Sequence, residues 1–276
     1  VFVIATNAAA LRAQNAIRQA QAGVQKSMER ISTGKRINSP ADDPANYFIA
    51  ARMAADIQGM NQASRNVQDG LSLAQTADGA LGDVTSMIQR IHELAIAAAS
   101  GTYSDDDRAN MQIEVGQLAT QIGQVLSSTA FNGIALFQPA SSGGGDVTIQ
   151  AGANGGDTGK VGLETYDPAT LSQLSVATAA DASRTMTLAE GLLKATDTSR
   201  ARLGASMSAL SSSMNVLENS VINETDAYDR IMDVDYGAET MALARNQLIL
   251  NAATAMLAQA NTMPRKFVAM LLDPGG

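Results

Sequence analysis

Apolar residues spaced three and four apart dominate two long stretches of the chain. They fall at Val67, Leu71, Ala74, Ala77, Leu81, Val84, Ile88, Ile91 and Ala95, and far downstream at Leu203, Met207, Leu210, Met214, Leu217 and Val221. This rhythm keeps a narrow apolar stripe on one side of a helix, suited to lengthwise packing on another helix. The expected fold is mainly α: a long antiparallel helical bundle or coiled-coil rod, made by folding the chain back on itself. A stripe at Leu11, Ile17, Val24, Met28 and Ile31 predicts a shorter helix near one end. A sparser repeat at Leu243, Leu250 and Leu257 predicts another near the other end.

Punctuation residues place the boundaries. Thr6 and Asn7 read as N-caps of the first helix and Gly34 as its stop. Two prolines in Asn38-Ser39-Pro40-Ala41-Asp42-Asp43-Pro44 forbid continuous helix, and Asp43-Pro44 reads as N-cap and first helical position. The helix from there to about Ser100 would be roughly 85 Å long. Gly101 ends it, and Ser104 with Asp105, Asp106 and Asp107 starts another, striped by Met111, Val115, Leu118, Ile122 and Val125. Asn132-Gly133 between apolar residues signals a tight hairpin. Residues 138–180 are rich in glycine and serine: Ser141 to Gly145 reads as flexible, Val147-Thr148-Ile149 as a short strand, and the whole as a small β-hairpin region without a core of its own. Helix resumes near Asp181, breaks again around Asp233 to Gly237, and runs from about Ala238 to near Leu272, kinked or limited by Pro264. The segments are thus 1–39, 40–137, 138–180, 181–232 and 233–276. Two thin terminal helices bury too little to stand alone, so their stripes need neighbours from other chains.

Composition fits thin bundles. Only 4% of the 276 residues are aromatic and none is Trp, while 45% are apolar, mostly Ala, Leu, Ile, Val and Met. A net charge of -8 argues against nucleic acid or anionic lipid as a partner. No cysteine means no disulfide and no thiolate chemistry. The start of the sequence has no basic region before its short apolar run, and no stretch reaches the roughly 18 apolar residues of a membrane span, so neither a secretory signal peptide nor membrane insertion is expected. His92-Glu93-Leu94-Ala95-Ile96 lacks the second histidine of a zinc-protease helix, and His92 is the only histidine. Asp42, Asp43, Asp233 and Asp235 read as loop caps. No catalytic, cofactor or metal site is expected, and the chain is not expected to be an enzyme. The methionines Met207 and Met214 read as adaptable packing.

Long motifs carry a family resemblance. Thr6-Asn7-Ala8-Ala9-Ala10-Leu11, the run Glu29 to Asp43 (ERISTGKRINSPADD), the run Arg65 to Leu81 (RNVQDGLSLAQTADGAL), Phe131-Asn132-Gly133, and Val147 to Asn154 resemble bacterial flagellins. So do Arg230-Ile231-Met232-Asp233-Val234-Asp235-Tyr236 and Met256-Leu257-Ala258-Gln259-Ala260-Asn261 near the far end. The resemblance implies an extracellular subunit of the flagellar filament for swimming, a helical homopolymer exported by the flagellar type III pathway without a cleaved signal. Terminal segments 1–39 and 233–276 would form the inner tube, domain D0. Segments 40–137 and 181–232 would form the wall, D1, with 138–180 too short for further outer domains. Implied partners are hook-associated junction and cap proteins, an export chaperone and the Toll-like flagellin receptor of hosts. Gln89, Arg90, Glu93 and Leu94, with Glu114 on the next helix, resemble the segment that this receptor detects, although they equally suit axial contacts between subunits. Leu11, Ile17, Val24, Met28, Ile31, Leu243, Leu250 and Leu257 are the polymerisation seam candidates. The tail Asp273 to Gly276 and the basic run Met263 to Phe267 depart from the family pattern. A hook–filament junction protein, sharing the two-ended plan, and a flagellin-like surface protein binding polysaccharide remain as alternatives, though five Tyr and five Phe show no cluster for the latter.

Overall fold

A computed structural model describes residues 7–138, 145–164 and 168–272, the side chains of 168 and 264–272 excepted. Thr6, most of the flexible stretch from Ser141, the basic side chains after Met263 and the tail from Asp273 lie outside the described residues. The elements run α1 (Ala8–Thr33), α2 (Pro44–Ala99), α3 (Asp105–Ser128), β1 (Ala130–Phe131), β2 (Ile134–Ala135), β3 (Val147–Gln150), β4 (Thr158–Val161), α4 (Pro168–Leu171), α5 (Ala179–Met232) and α6 (Tyr236–Leu272). The chain forms two compact units, Ala55–Asn223 and a second made of Val1–Ala54 with Glu224–Gly276.

In the unit Ala55–Asn223 the predicted stripes meet. Val67, Leu81, Val84, Ile88 and Ile91 of α2 share one core with Val115 and Ile122 of α3 and Leu203, Leu210 and Leu217 of α5. Each fully buried Leu, Ile or Val contributes about 1.5–3 kcal/mol. The helices are antiparallel, as cross-links show: Asp78 pairs with Arg200 at 2.9 Å, and His92 lies 3.6 Å from Glu190. The turn between α2 and α3 is held by Arg108, whose Nε donates to the Ala98 carbonyl at 2.9 Å and Nη2 to that of Ser100 at 3.1 Å. A guanidinium thus satisfies carbonyls left free at the end of α2. Ser104 and Asp107 form a reciprocal capping box at the start of α3.

The Asn132-Gly133 hairpin is present as β1–β2, with both turn residues at positive φ (48° and 80°), the type I′ geometry that suits this pair. A second antiparallel hairpin pairs β3 with β4, Val147 opposite Val161. It sits close on α2: a Cβ added at Gly70 would lie 2.9 Å from Ile149 Cγ1, and Asn66 donates to the Gln150 carbonyl at 3.2 Å. Residues after the hairpin close the same core. Leu163, Leu171, Leu174 and Val176 are buried. Gln112 accepts from the Val176 amide at 2.6 Å, and buried Thr185 bonds both the amide and the carbonyl of Ser175. The short helix α4 has no counterpart in the sequence reading.

In the other unit the two chain breaks bind one another. The Arg36 amide donates to the Met232 carbonyl (2.6 Å), the Val234 amide to the Gly34 carbonyl (3.0 Å), and Arg36 Nη2 to the Ile231 carbonyl (2.7 Å), making an antiparallel bridge between Lys35 and Asp233. Gly34 stops α1 in the left-handed conformation (φ 71°), as its position demands. Ile37, Ala50 and Met232 form a small core beneath. Asp43 caps α2 by accepting from the Asn46 amide. Asp42 receives Lys26 Nζ at 2.7 Å and the amides of Asn38 and Ser39 at 3.0 and 3.1 Å. The Lys26 ammonium first, and then these two amides, hold the Asp42 carboxyl far below the usual carboxylate range.

A carboxyl depressed in the folded state stabilises at pH values above its ordinary pKa of 3.8 and loses that effect as pH falls below it. Asp42→Asn is therefore expected to lower the thermal midpoint at neutral pH. Its deficit against the wild type should shrink as pH drops below 3.8. Thermal melts followed by circular dichroism across that range check this.

Candidate assembly surface

The pairing of α1 with α6 is antiparallel, marked at one end by Asn7 Nδ2 donating to the Ala260 carbonyl (2.8 Å) and at the other by Arg30 with Glu239 (3.3 Å). What fills the seam is small. Ala10, Ala13, Ala20 and Ser27 are the buried residues of α1, and Ala253 and Ala260 those among the described side chains of α6. Ala13, Ala20 and Ser27 recur every seven residues, as do Ala253 and Ala260. Between them Gly23 faces Asn246 so closely that a Cβ would lie 2.6 Å from Asn246 Nδ2. The missing Cβ of Gly23 leaves room at that point of the seam for the Asn246 side chain.

The larger apolar residues are displaced outward. Ile17, Val24 and Ile31 border the seam, half-buried, as do Leu243, Leu250 and Leu257. Leu11 and Met28 stand exposed at 53% and 57%. The stripes from the sequence thus flank the α1–α6 contact rather than filling it. A further apolar series lies on α6: Met241, Leu248, Met256 and Met263, each 58–70% exposed. At about 100° per residue these four fall within an arc of about 80°, centred about 90° around the helix from Ala253 and Ala260 and on the other side of them from Leu243, Leu250 and Leu257. Reading the sequence for one heptad series missed this second one, although its steps of seven and eight residues were visible there.

The other candidate cluster joins α2 and α3. Arg90 Nε pairs with Glu114 at 2.8 Å and Arg90 Nη1 with Glu93 at 3.3 Å. The Glu114 carboxylate, and next that of Glu93, raise the Arg90 pKa further. Gln89, Arg90 and Glu93 are exposed. Leu94, expected at the outer edge of the stripe, is instead 7% exposed and belongs to the core. His92, read as a solvated position, is partly covered and reaches toward Glu190.

Surface cavities are also present among the described residues. One of about 530 Å³ is lined by Ile37, Tyr47, Tyr228 and Met232; another of about 620 Å³ lies between the β3–β4 turn and Ser212, Ser213 and Val216 of α5. Among the described residues no three His, Asp or Glu side chains converge as metal ligands, and no helix is long and apolar enough to cross a membrane.

The model of the bacterial flagellin N-terminal helical region matches residues 4–142, and that of the bacterial flagellin C-terminal helical region matches residues 186–271. A flagellin of Halalkalibacterium halodurans is 38% identical over 90% of this chain and 91% of its own length. The flagellar filament 33 kDa core protein of Treponema phagedenis is 33% identical over 98% of this chain and its full length. Among solved structures, the crystal structure of Bacillus cereus flagellin superposes with a TM-score of 0.51 at 29% identity, covering 55% of this chain and 88% of that one.

The small-residue seam makes its own prediction. Ala20→Leu, at a position 3% exposed, overpacks the α1–α6 contact at a cost of about 1–3 kcal/mol. Ala22→Leu, on the exposed side, should stay within about 0.5 kcal/mol of the wild type. Helix content of the unassembled chain, followed through urea titration, distinguishes the two.

Proposed function

Because this chain belongs to the bacterial flagellins, structural proteins whose copies polymerise into the flagellar filament, we propose that its α1–α6 pair is the polymerising element. The observation that carries this reading is the inverted seam: alanines lie inside, while Leu11, Met28, Met241, Leu248 and Met256 lie outside. An apolar helix face of that extent is stable in water only when covered. Neighbouring copies in a helical polymer supply the cover, with Ile17, Val24, Ile31, Leu243, Leu250 and Leu257 at the margins of the contact. In this reading segments 1–39 and 233–276 are the inner-tube domain. Segments 40–137 and 181–232 are the wall domain, and 138–180 is the short insert.

Export through the flagellar type III pathway places the chain outside the cell. Junction and cap proteins bound the polymer at its two ends, and an export chaperone covers the apolar helix faces before assembly. The Toll-like flagellin receptor of animal hosts meets the free subunit at Gln89, Arg90, Glu93 and Glu114. Leu94 supports that patch from beneath. Relatives that match nine-tenths or more of the chain are named flagellin or filament core protein, which favours the filament subunit over a junction protein or a polysaccharide-binding surface protein.

Deleting residues 1–35 or 240–276 should leave a soluble, helical subunit that fails to sediment as polymer. Normal filaments from either truncation would contradict the proposal. Separately, Arg90→Ala with Glu114→Ala should reduce receptor signalling by the free subunit about tenfold while its helix content holds. Undiminished signalling in a reporter-cell assay would remove the receptor assignment.

A further inference from the structure

The chain contains thirteen methionines and no cysteine, so every oxidisable sulfur is a thioether. The fold sorts these thioethers by exposure. Met60 and Met232 are buried at 8% and 6%, and Met87, Met111, Met186, Met207 and Met214 pack against the large core. Met28, Met241, Met256 and Met263 are 57–70% exposed, and all four lie on α1 or α6. Three of them share one exposed face of α6 with Leu248.

We propose that Met28, Met241, Met256 and Met263 form a peroxide-sensitive modification site that controls whether a free subunit can polymerise. The inference rests on the reading that the outer faces of α1 and α6 are covered by neighbouring copies. The chemistry needs only a hydroperoxide. A sulfur lone pair attacks the terminal peroxide oxygen, the O–O bond breaks, and an S–O bond forms. Sulfur is oxidised to the sulfoxide and the peroxide is reduced to water or an alcohol. The product replaces a flexible apolar side chain with a polar, chiral one. At an exposed position this leaves the folded subunit intact, because no packed neighbour must move. On a face that is to be dried by another copy, the sulfoxide oxygen loses its water and gains no donor. Oxidation thus acts on the subunit before assembly, whereas the polymer shields the same sulfurs. A methionine face also gives the adaptable packing that assembly uses, so sensitivity to oxidation comes with it.

The test treats purified free subunits with limiting hydrogen peroxide, maps sulfoxides by peptide mass spectrometry, and reads the critical concentration for polymerisation by sedimentation. Met28, Met241, Met256 and Met263 should oxidise about tenfold faster than Met60 and Met232. The critical concentration should rise about tenfold or more, as a buried unpaired polar group requires. Joint treatment with methionine sulfoxide reductases of both epimer specificities should restore it. A variant carrying Met28→Leu, Met241→Leu, Met256→Leu and Met263→Leu should polymerise equally well before and after peroxide. Normal polymerisation of fully oxidised wild type, or equal loss in the leucine variant, would overturn the inference. If the leucine variant does not polymerise untreated, oxidation rates in wild-type filament and free subunit decide. Equal rates at the four sulfurs would refute the covered-face reading itself. Protection in the filament, combined with unimpaired assembly of oxidised subunits, would refute only the oxidation switch.

Discussion

Two helices that meet through alanine cannot hide their larger side chains, and the behaviour of the terminal unit depends on that constraint. Ala13, Ala20 and Ser27 with Ala253 and Ala260 fill the contact between α1 and α6, and Gly23 leaves room there for the Asn246 side chain. A buried methylene-sized group contributes only about 0.8 kcal/mol, so such a seam fixes register more than it stabilises. Register is set by the polar contacts at its ends, Asn7 with Ala260 and Arg30 with Glu239. The apolar area that would normally stabilise a helix pair is on the outside. On the proposed reading, neighbouring copies supply the stability that this pair lacks by itself.

The unit Ala55–Asn223 is organised in the opposite way. Its stripes of Leu, Ile and Val face one another from three helices, and the β3–β4 hairpin and the segment after it close the same core. That unit has a large core of its own, although Ile96, Ile113, Val216 and Ile222 stay exposed, whereas among the described residues the terminal unit adds the small cluster of Ile37, Ala50 and Met232 to its alanine seam. Where the chain leaves and re-enters the terminal helices, backbone bonds between 34–36 and 232–234 replace packing.

Much of the architecture was legible because local rules and packing agreed. The stripe from Val67 to Ala95, the stops at Gly34 and Gly101, the cap at Ser104 and the turn at Asn132-Gly133 all stand where periodicity and turn chemistry put them. Other features depend on a partner and leave no one-dimensional trace. On α6 two apolar series run in parallel, from Leu243 and from Met241, and only the position of α1 decides which borders the seam. Leu94 read as an edge residue because its neighbours Arg90 and Glu93 are charged, yet α2 turns it into the core. Arg108 is another such residue: its two carbonyl partners, Ala98 and Ser100, come from the preceding turn. Helix α4 is too short for periodicity to register. The segment after it is held by Thr185, which bonds the backbone of Ser175, and by Gln112 of α3, which accepts from the Val176 amide.

Hydrogen–deuterium exchange on the same protein, free and polymerised, tests the central claim most directly. The account predicts that amides of α1 and α6 exchange quickly in the free subunit and become strongly protected in the filament, while the buried amides of residues 67–95 and 203–217 are protected in both. Equal protection of α1 and α6 in the two states would contradict it, because it would mean that the alanine seam suffices and that the outer faces need no cover.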